Sequence, residues 1–391
     1  MDFDQPLDRS ATQSVKFDAR QAVFGRDDVI PLWVADMDFA TAPAVTEALL
    51  ARAAHPVLGY SLFPESLYQS MIDWFGLRHG WQIERDWIVM APGVVPSMHA
   101  AALAFAAEGE GVIIQPPVYP PFFSSVEKTG RKVLVNPLRC DNGRYSMDLE
   151  QLDSCAAQGA RMLMLCSPHN PVGRVWQEDE LRALLAVVRK HDLLVLSDDI
   201  HCDLVFPGQQ HSMLAKLAEP GDRIITAVAP SKTFNIPGLG LSAMVIPDPQ
   251  LRSKLRAVFD RLHMEQANPF SIVAFEAAYR HGEAWLDALL GYLIENIRFV
   301  RGYLAEHLPQ IHCAEPEGTY LLWLDCRGLG LSDAELKRFF VREAGLGLNP
   351  GVSFGQQGSG FMRLNIATQR AVLAEAMSKL RLAVDALVTK N

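Results

Sequence analysis

Ala229-Pro230-Ser231-Lys232-Thr233-Phe234-Asn235 is the stretch around which the chain is organised. Just upstream, Arg223-Ile224-Ile225-Thr226-Ala227-Val228 is short and apolar, the pattern of a buried strand. Downstream, Pro237-Gly238-Leu239-Gly240 is a turn that leads into a second apolar run, Leu241 to Ile246. Lys232 is therefore expected between two buried strands. Loss of water there lowers the pKa of its amine and makes the neutral form available as a nucleophile. A lysine that bonds covalently to a carbonyl carbon needs that state. A loop lysine in solvent would be inert, and this stretch alone leaves both readings open.

The same pattern recurs upstream. Trp87-Ile88-Val89-Met90 reads as a strand and Ala91-Pro92-Gly93 as a turn, followed by a helix over 94–107 with Pro96 in its first turn. Val112-Ile113-Ile114 is a strand that ends in Pro116-Pro117-Val118-Tyr119, and Met162-Leu163-Met164-Leu165-Cys166 one that ends in Ser167-Pro168-His169-Asn170. A helix then carries Leu181, Leu184, Leu185 and Val188 at i, i+3, i+4, i+7. Leu193-Leu194-Val195-Leu196 is a strand that ends in Ser197-Asp198-Asp199-Ile200-His201. Such nearly continuous apolar runs belong to a parallel sheet covered on both faces, so the architecture is α/β. Tyr119, Asn170, Asp198 and Lys232 all fall at or just past the C-terminal ends of strands, the edge where open α/β sheets bind ligands. Asp198 and Asp199 are adjacent, so only one of them can face that edge if the strand end alternates.

Residues 1–40 show no strong helix, and Trp33-Val34-Ala35-Asp36-Met37-Asp38-Phe39 reads as an arm laid against another part of the chain. Its Asp36 and Asp38 are read as loop aspartates that cap backbone amides. A helix from Pro43 to Ala54, an irregular segment His55-Pro56-Val57-Leu58-Gly59-Tyr60 and a helix over 65–80 follow. After residue 280 the alternation stops. Leu286, Leu289, Leu290, Leu293, Ile297, Val300 and Leu304 mark one helix of roughly 25 residues, a bridge to a second, α+β domain. That domain has strand-like segments at 319–324 and 360–365, a Ser332/Glu335 capping box and a final helix over 369–387. The expected division is an arm (1–44) packing with the small domain, a large domain (45–282) and a small C-terminal domain (283–391).

Composition bounds the function. A chain of 391 residues with 49% apolar and 21% charged residues is a globular protein of about two domains and is not disordered. A net charge of −9 without a Lys/Arg stripe excludes a nucleic-acid footprint. No apolar run is long enough for a bilayer and the acidic, Pro-containing N-terminus is unlike a signal peptide, so a cytoplasmic protein without membrane contact is expected. Cys140, Cys155, Cys166, Cys202, Cys313 and Cys326 show no CxxC spacing, which implies reduced, mostly buried thiols and no metal site.

Singly, the candidate residues have plain structural readings: Asp198 as a helix cap, Tyr119 as a core aromatic, Asn170 as a turn former, Arg363 in a surface ion pair. Together and in this order they resemble the fold-type I enzymes that use pyridoxal 5'-phosphate, of the aminotransferase class I/II type. Within these the chain is most similar to the cystathionine β-lyase / maltose regulon modulator subgroup of carbon–sulfur lyases. The resemblance spans essentially the whole chain. It is most specific in His55-Pro56-Val57-Leu58-Gly59-Tyr60, Ser197-Asp198-Asp199-Ile200-His201 and Ser231-Lys232-Thr233-Phe234-Asn235-Ile236-Pro237.

The resemblance implies a large domain with a mostly parallel seven-stranded sheet and a smaller α+β C-terminal domain. It also implies roles. Lys232 would hold the cofactor covalently and later move the Cα proton of the substrate. Asp198 would keep the pyridine nitrogen protonated, Asn170 would donate to the phenolic oxygen, and Tyr119 would stack on the ring. Gly93, Val94 and Val95 would offer backbone N–H groups to the phosphate at a helix start. Tyr60 would reach the phosphate of a neighbouring subunit, giving a homodimer with shared active sites, and Arg363 would clamp the carboxylate of a small amino-acid substrate.

Two departures stand out. Many aminotransferases carry Ser or Thr three residues before the lysine and Arg eight after it, both on the phosphate; here Ala229 and Gly240 occupy those positions, with Ser231 or Thr226 as replacements. His201 stands where aminotransferases usually have Tyr beside the phenolic oxygen, and the lyase-like subgroup shares the His. The implied activity is β-elimination from L-cystathionine or another S-substituted L-cysteine, releasing a thiol, pyruvate and ammonia. The alternatives are an aminotransferase with the same cofactor geometry and a cofactor-bound regulatory module that binds a protein. Against the regulatory module stand the absence of a helix-turn-helix segment before the core and the retained Lys232/Asp198 pair.

Overall fold

The apolar runs pair with one another in one seven-stranded sheet. The computed structural model describes residues 1–264 and 268–390. The strands are β1 (Ile88–Ala91), β2 (Gly111–Ile114), β3 (Lys132–Val135), β4 (Ala160–Cys166), β5 (Leu194–Asp198), β6 (Arg223–Val228) and β7 (Ser242–Val245). Their order across the sheet is β1-β7-β6-β5-β4-β2-β3. Only β7 runs against its neighbours; the other pairs are parallel.

The strands are apolar at nearly every position because each face of the sheet has its own core. Met162, Met164 and Cys166 pack on one side with the helices Val94–Phe105 and Pro249–Arg261. Leu163 and Leu165 pack on the other side with Leu149–Ala157 and Glu178–Lys190. The predicted stripe Leu181, Leu184, Leu185 and Val188 is the buried face of Glu178–Lys190. Strand β3, at the sheet edge, has only Leu134 buried and gives no continuous apolar signal. The chain leaves β2 in one direction, to β3, and β4 in the other, to β5 and β6. The adjacent ends of β2 and β4 are therefore a topological switch point, and Tyr119 and Asn170 emerge there.

The helix Glu283–His307 follows, 25 residues long, with Leu286, Leu289, Leu293, Ile297, Val300 and Leu304 buried. It leads to a four-stranded antiparallel sheet ordered His312–Cys313, Leu321–Asp325, Phe361–Asn365, Asn349–Pro350. Ser332 and Glu335 form the expected capping box. Among the described residues no helix is long and apolar enough to cross a membrane.

The N-terminal segment has no strong helix, as expected, but differs from expectation at its aspartates. It forms two short helices, Val15–Asp18 and Arg20–Phe24. Asp36 and Asp38 do not cap backbone amides; they meet two cations from upstream. Arg9 lies 2.8 Å from Asp36 and 2.6 Å from Asp38, and Lys16 lies 2.9 Å from Asp38 and 3.7 Å from Asp36. Lys16 is wholly buried. Nothing local in the sequence signals these pairs, because the partners lie 20 to 29 residues from the carboxylates.

Removing one partner from a buried ion pair leaves an uncompensated charge. Lys16→Met should lower the free energy of unfolding by about 3 kcal/mol in urea titrations. Arg182→Ala, which breaks an exposed i,i+4 pair with Glu178, should change it by about 0.5 kcal/mol or less. Equal effects would show that Lys16 is not the anchor of this segment.

Candidate active site

Strand β6 ends at Val228, and Pro230 opens the one-turn helix Pro230–Thr233, with Pro at a position its fixed φ suits. Two side chains fix that turn. Thr233 Oγ1 donates to Asp203 Oδ2 at 2.8 Å. Asn235 donates from Nδ2 to the carbonyls of Met37 and Phe39 and accepts the Met37 N–H on Oδ1. Lys232 is thereby held at the wall of a cavity of about 320 Å³ at the C-terminal edge of the sheet. Its Nζ donates to the Ala35 carbonyl at 2.6 Å. Burial, with repulsion from Arg363, pushes its pKa down to about 8.

Asp198, the last residue of β5, lines the same cavity. Its Oδ1 accepts the Ile200 N–H at 3.2 Å. Burial, with repulsion from the neighbouring Asp199, nevertheless raises its pKa to about 7. Asp199 points away, with Oδ1 2.7 Å from His211 Nε2. The alternation expected at the strand end is therefore present. His201 lines the cavity with its ring edge-on to Tyr320 at 6.1 Å, and its buried Nδ1 lacks a partner among the described residues. Burial, then the nearby Lys232 and Arg363 charges, push its pKa down to about 3, so the imidazole is neutral.

Tyr119 and Asn170 meet at the switch point, where the Tyr119 N–H donates to the Asn170 carbonyl at 3.1 Å. Arg363 stands behind Asn170 and is not the surface ion pair that its plain reading suggested. It is 4% exposed, donates to Asn170 Oδ1 (3.0 Å), Asn349 Oδ1 (2.9 Å) and the Trp33 carbonyl (2.9 Å), and lies over the Phe354 ring. All these partners are neutral, its Nε has none among the described residues, and burial pushes its pKa down to about 10.

At the other end of the cavity Gly93 has φ +150° and ψ 159°, a conformation essentially reserved for glycine, and Val94 opens a 12-residue helix. Gly93, Val94 and Val95 line the cavity, where the first N–H groups of that helix lack intrahelical partners and its positive end points. Gly240 lines the cavity near the helix start, where a Cβ would come within 3.4 Å of the Pro92 carbonyl oxygen. Ser231 lines this cavity. Thr226 does not: it is buried in the middle of β6, opposite Ser197, and that suggested replacement is corrected.

Tyr60 is not brought to the cavity of its own chain; it is 100% exposed. Sequence reasoning missed the Ala35 carbonyl, Cys166 and Tyr320, whose hydroxyl donates to Ala35 O at 2.9 Å. Cys166 was legible as a strand end. Tyr320 carried no signal, because it reads as one more apolar position in a buried strand.

Comparison with known proteins agrees with this geometry. Residues 27–380 match the family described as aminotransferase class I and II. Cystathionine beta-lyase PatB of Bacillus subtilis (strain 168) is 40% identical over 387 residues, covering 98% of this chain and 100% of that one. Cystalysin from Treponema denticola, whose crystal structure contains pyridoxal 5'-phosphate, superposes with a TM-score of 0.96 at 35% identity over 99% of both chains. The PLP-bound C–S lyase from Staphylococcus hominis does so with a TM-score of 0.92 at 30% identity over 98% of both.

With bound small molecules stripped away, Lys232 should react with an acylating reagent at a rate half-maximal near pH 8, as followed by peptide mapping. A lowered pKa means the amine is protonated below that pH and neutral above it, while ordinary lysines remain charged to about 10.5. Labelling of Lys232 only at pH 10 and above would contradict the assignment.

Proposed function

The chain belongs to the aminotransferase class I and II family, and from that premise we propose that it is a pyridoxal 5'-phosphate-dependent carbon–sulfur β-lyase. It cleaves the Cβ–S bond of L-cystathionine or a related S-substituted L-cysteine, and the products are a thiol, pyruvate and ammonia. The observation that carries this reading is a set of buried charged groups, at and just behind the cavity, without charged partners among the described residues. No cation is bonded to Asp198 in the cavity wall, and no carboxylate to Arg363, which stands behind Asn170.

These groups fit the cofactor. A protonated ring nitrogen opposite Asp198 would restore its carboxylate form through a charge-assisted bond of about 1.5–3 kcal/mol. Arg363 occupies Asn170 Oδ1, which leaves Asn170 Nδ2 as the donor for a phenolic oxygen. Tyr119 offers a ring face, Ser231 a hydroxyl, and Gly93, Val94 and Val95 their backbone end for the phosphate. When bound, pyridoxal 5'-phosphate supplies a cationic ring that accepts the electron pair left on Cα. Lys232 would hold it covalently and would be the group that moves the Cα proton. Arg363, tied by neutral acceptors only, keeps its charge for the substrate carboxylate.

His201 supports elimination over amino transfer. A buried neutral imidazole stands where aminotransferases usually place a tyrosine hydroxyl, and the lyases named above are similar over the full chain. Two copies would pair, with Tyr60 reaching the partner's cavity. Leu50, Val57, Leu58 and Leu62 are also large apolar side chains left exposed around that segment, as an interface requires. The domain division proposed is 1–44, 45–282 and 283–391, with Glu283–His307 as the bridge.

With S-substituted cysteines and no keto acid, pyruvate and free thiol should accumulate over many turnovers. Arrest after one equivalent, relieved only by adding a keto acid, would make the enzyme an aminotransferase instead. Mixing Tyr60→Ala with Lys232→Ala, each nearly inactive, should restore part of the activity through one intact site per heterodimer. No recovery despite verified subunit exchange would refute the shared site.

A further inference from the structure

We infer that Tyr320, acting through the Ala35 carbonyl, is a positioning residue for the free amine of Lys232. The inference rests on the reading that Lys232 bonds the cofactor. Ala35 O accepts two hydrogen bonds, from Lys232 Nζ at 2.6 Å and from Tyr320 OH at 2.9 Å. A carbonyl oxygen has two lone pairs, so these donors fill it. Tyr320 is buried, and burial holds its hydroxyl far above the usual phenol range, so it is a proton donor to the carbonyl at every working pH.

The carbonyl cannot turn away from the amine. On either side of it, the Val34 and Asp36 carbonyls both accept from Asn365 Nδ2, at 2.6 and 2.7 Å. Lys232 therefore meets a fixed acceptor, and one N–H is tied while the nitrogen lone pair stays available. When Lys232 captures the cofactor, its nitrogen forms a bond to the aldehyde carbon and the carbon–oxygen double bond breaks. The oxygen departs as water with the two hydrogens the nitrogen gives up. The contact with Ala35 ends in that step, so it serves the free amine alone: before capture, and again after substrate displaces the lysine. A long, flexible side chain held this way attacks from one geometry instead of many.

The test is cofactor capture by the cofactor-free protein, followed by absorbance, beside noncovalent binding of the analogue in which a methyl group replaces the aldehyde. Tyr320→Phe should slow covalent capture about tenfold and leave analogue binding unchanged. Tyr145→Phe serves as the control, since this buried tyrosine is bonded to Trp323 outside the cavity; it should leave both unchanged. Equal capture rates in Tyr320→Phe and wild type would overturn the inference. So would a parallel loss of analogue binding, which would mark Tyr320 as a general support of the cavity. Failure of the wild-type protein to capture the cofactor at all would overturn the cofactor reading itself.

Discussion

The site depends on one irregular strap of backbone, Trp33 to Met37, whose five consecutive carbonyls are each held by a side chain from elsewhere. Arg363 takes the first, Asn365 the second and fourth, Tyr320 and Lys232 the third, and Arg9 with Asn235 the fifth. Backbone groups removed from water must be paired, and a segment without helix or sheet partners can only be paired by side chains. The ion pairs of Asp36 and Asp38 with Arg9 and Lys16 add a second anchor on the same strap. Lysine, arginine and arm therefore share one set of bonds. Displacing any of them would disturb the geometry of the others.

The second theme is stability forgone at the site. Asp198, Arg363 and Lys232 are buried in one small region, and each is pushed toward its neutral form. Buried charges without opposite partners are costly, and a chain selected for stability alone would replace them with apolar groups. Their retention is intelligible if the missing charges arrive with ligands. The sheet beneath supplies the rigidity, since the strands that deliver Asp198 and Lys232 are adjacent and their residues Asp198 and Ala227 are in register.

Much of this was legible in the sequence, for a physical reason. Strands covered on both faces are apolar throughout, so β4, β5 and β6 declared themselves, and polar residues at their ends stood out against that background. β3 was missed because, of its residues, only Leu134 is buried, so it has no continuous apolar run to declare it. The pairing of Asp36 and Asp38 with Lys16 and Arg9 was missed for another reason: in a loop, no periodicity links a charge to its partner. Tyr320 was hidden by its own burial, since a hydroxyl bonded to a distant carbonyl looks like any core aromatic. Tyr60 was singled out only through resemblance, and within one chain it has nothing to touch.

The strap also sets the order of events at the ribosome. Its residues leave the exit tunnel early, while Arg363 and Asn365 emerge some 330 positions later. At typical translation speeds that interval is on the order of tens of seconds. The parallel sheet can assemble during it, because the sheet strands are complete by Val245. Meanwhile the arm has only its early partners, Arg9, Lys16, Lys232 and Asn235, and waits for Tyr320, Arg363 and Asn365. A chain halted before its last strand would therefore carry a finished sheet, with Lys232 and Asp198 in place, and no wall to close over them.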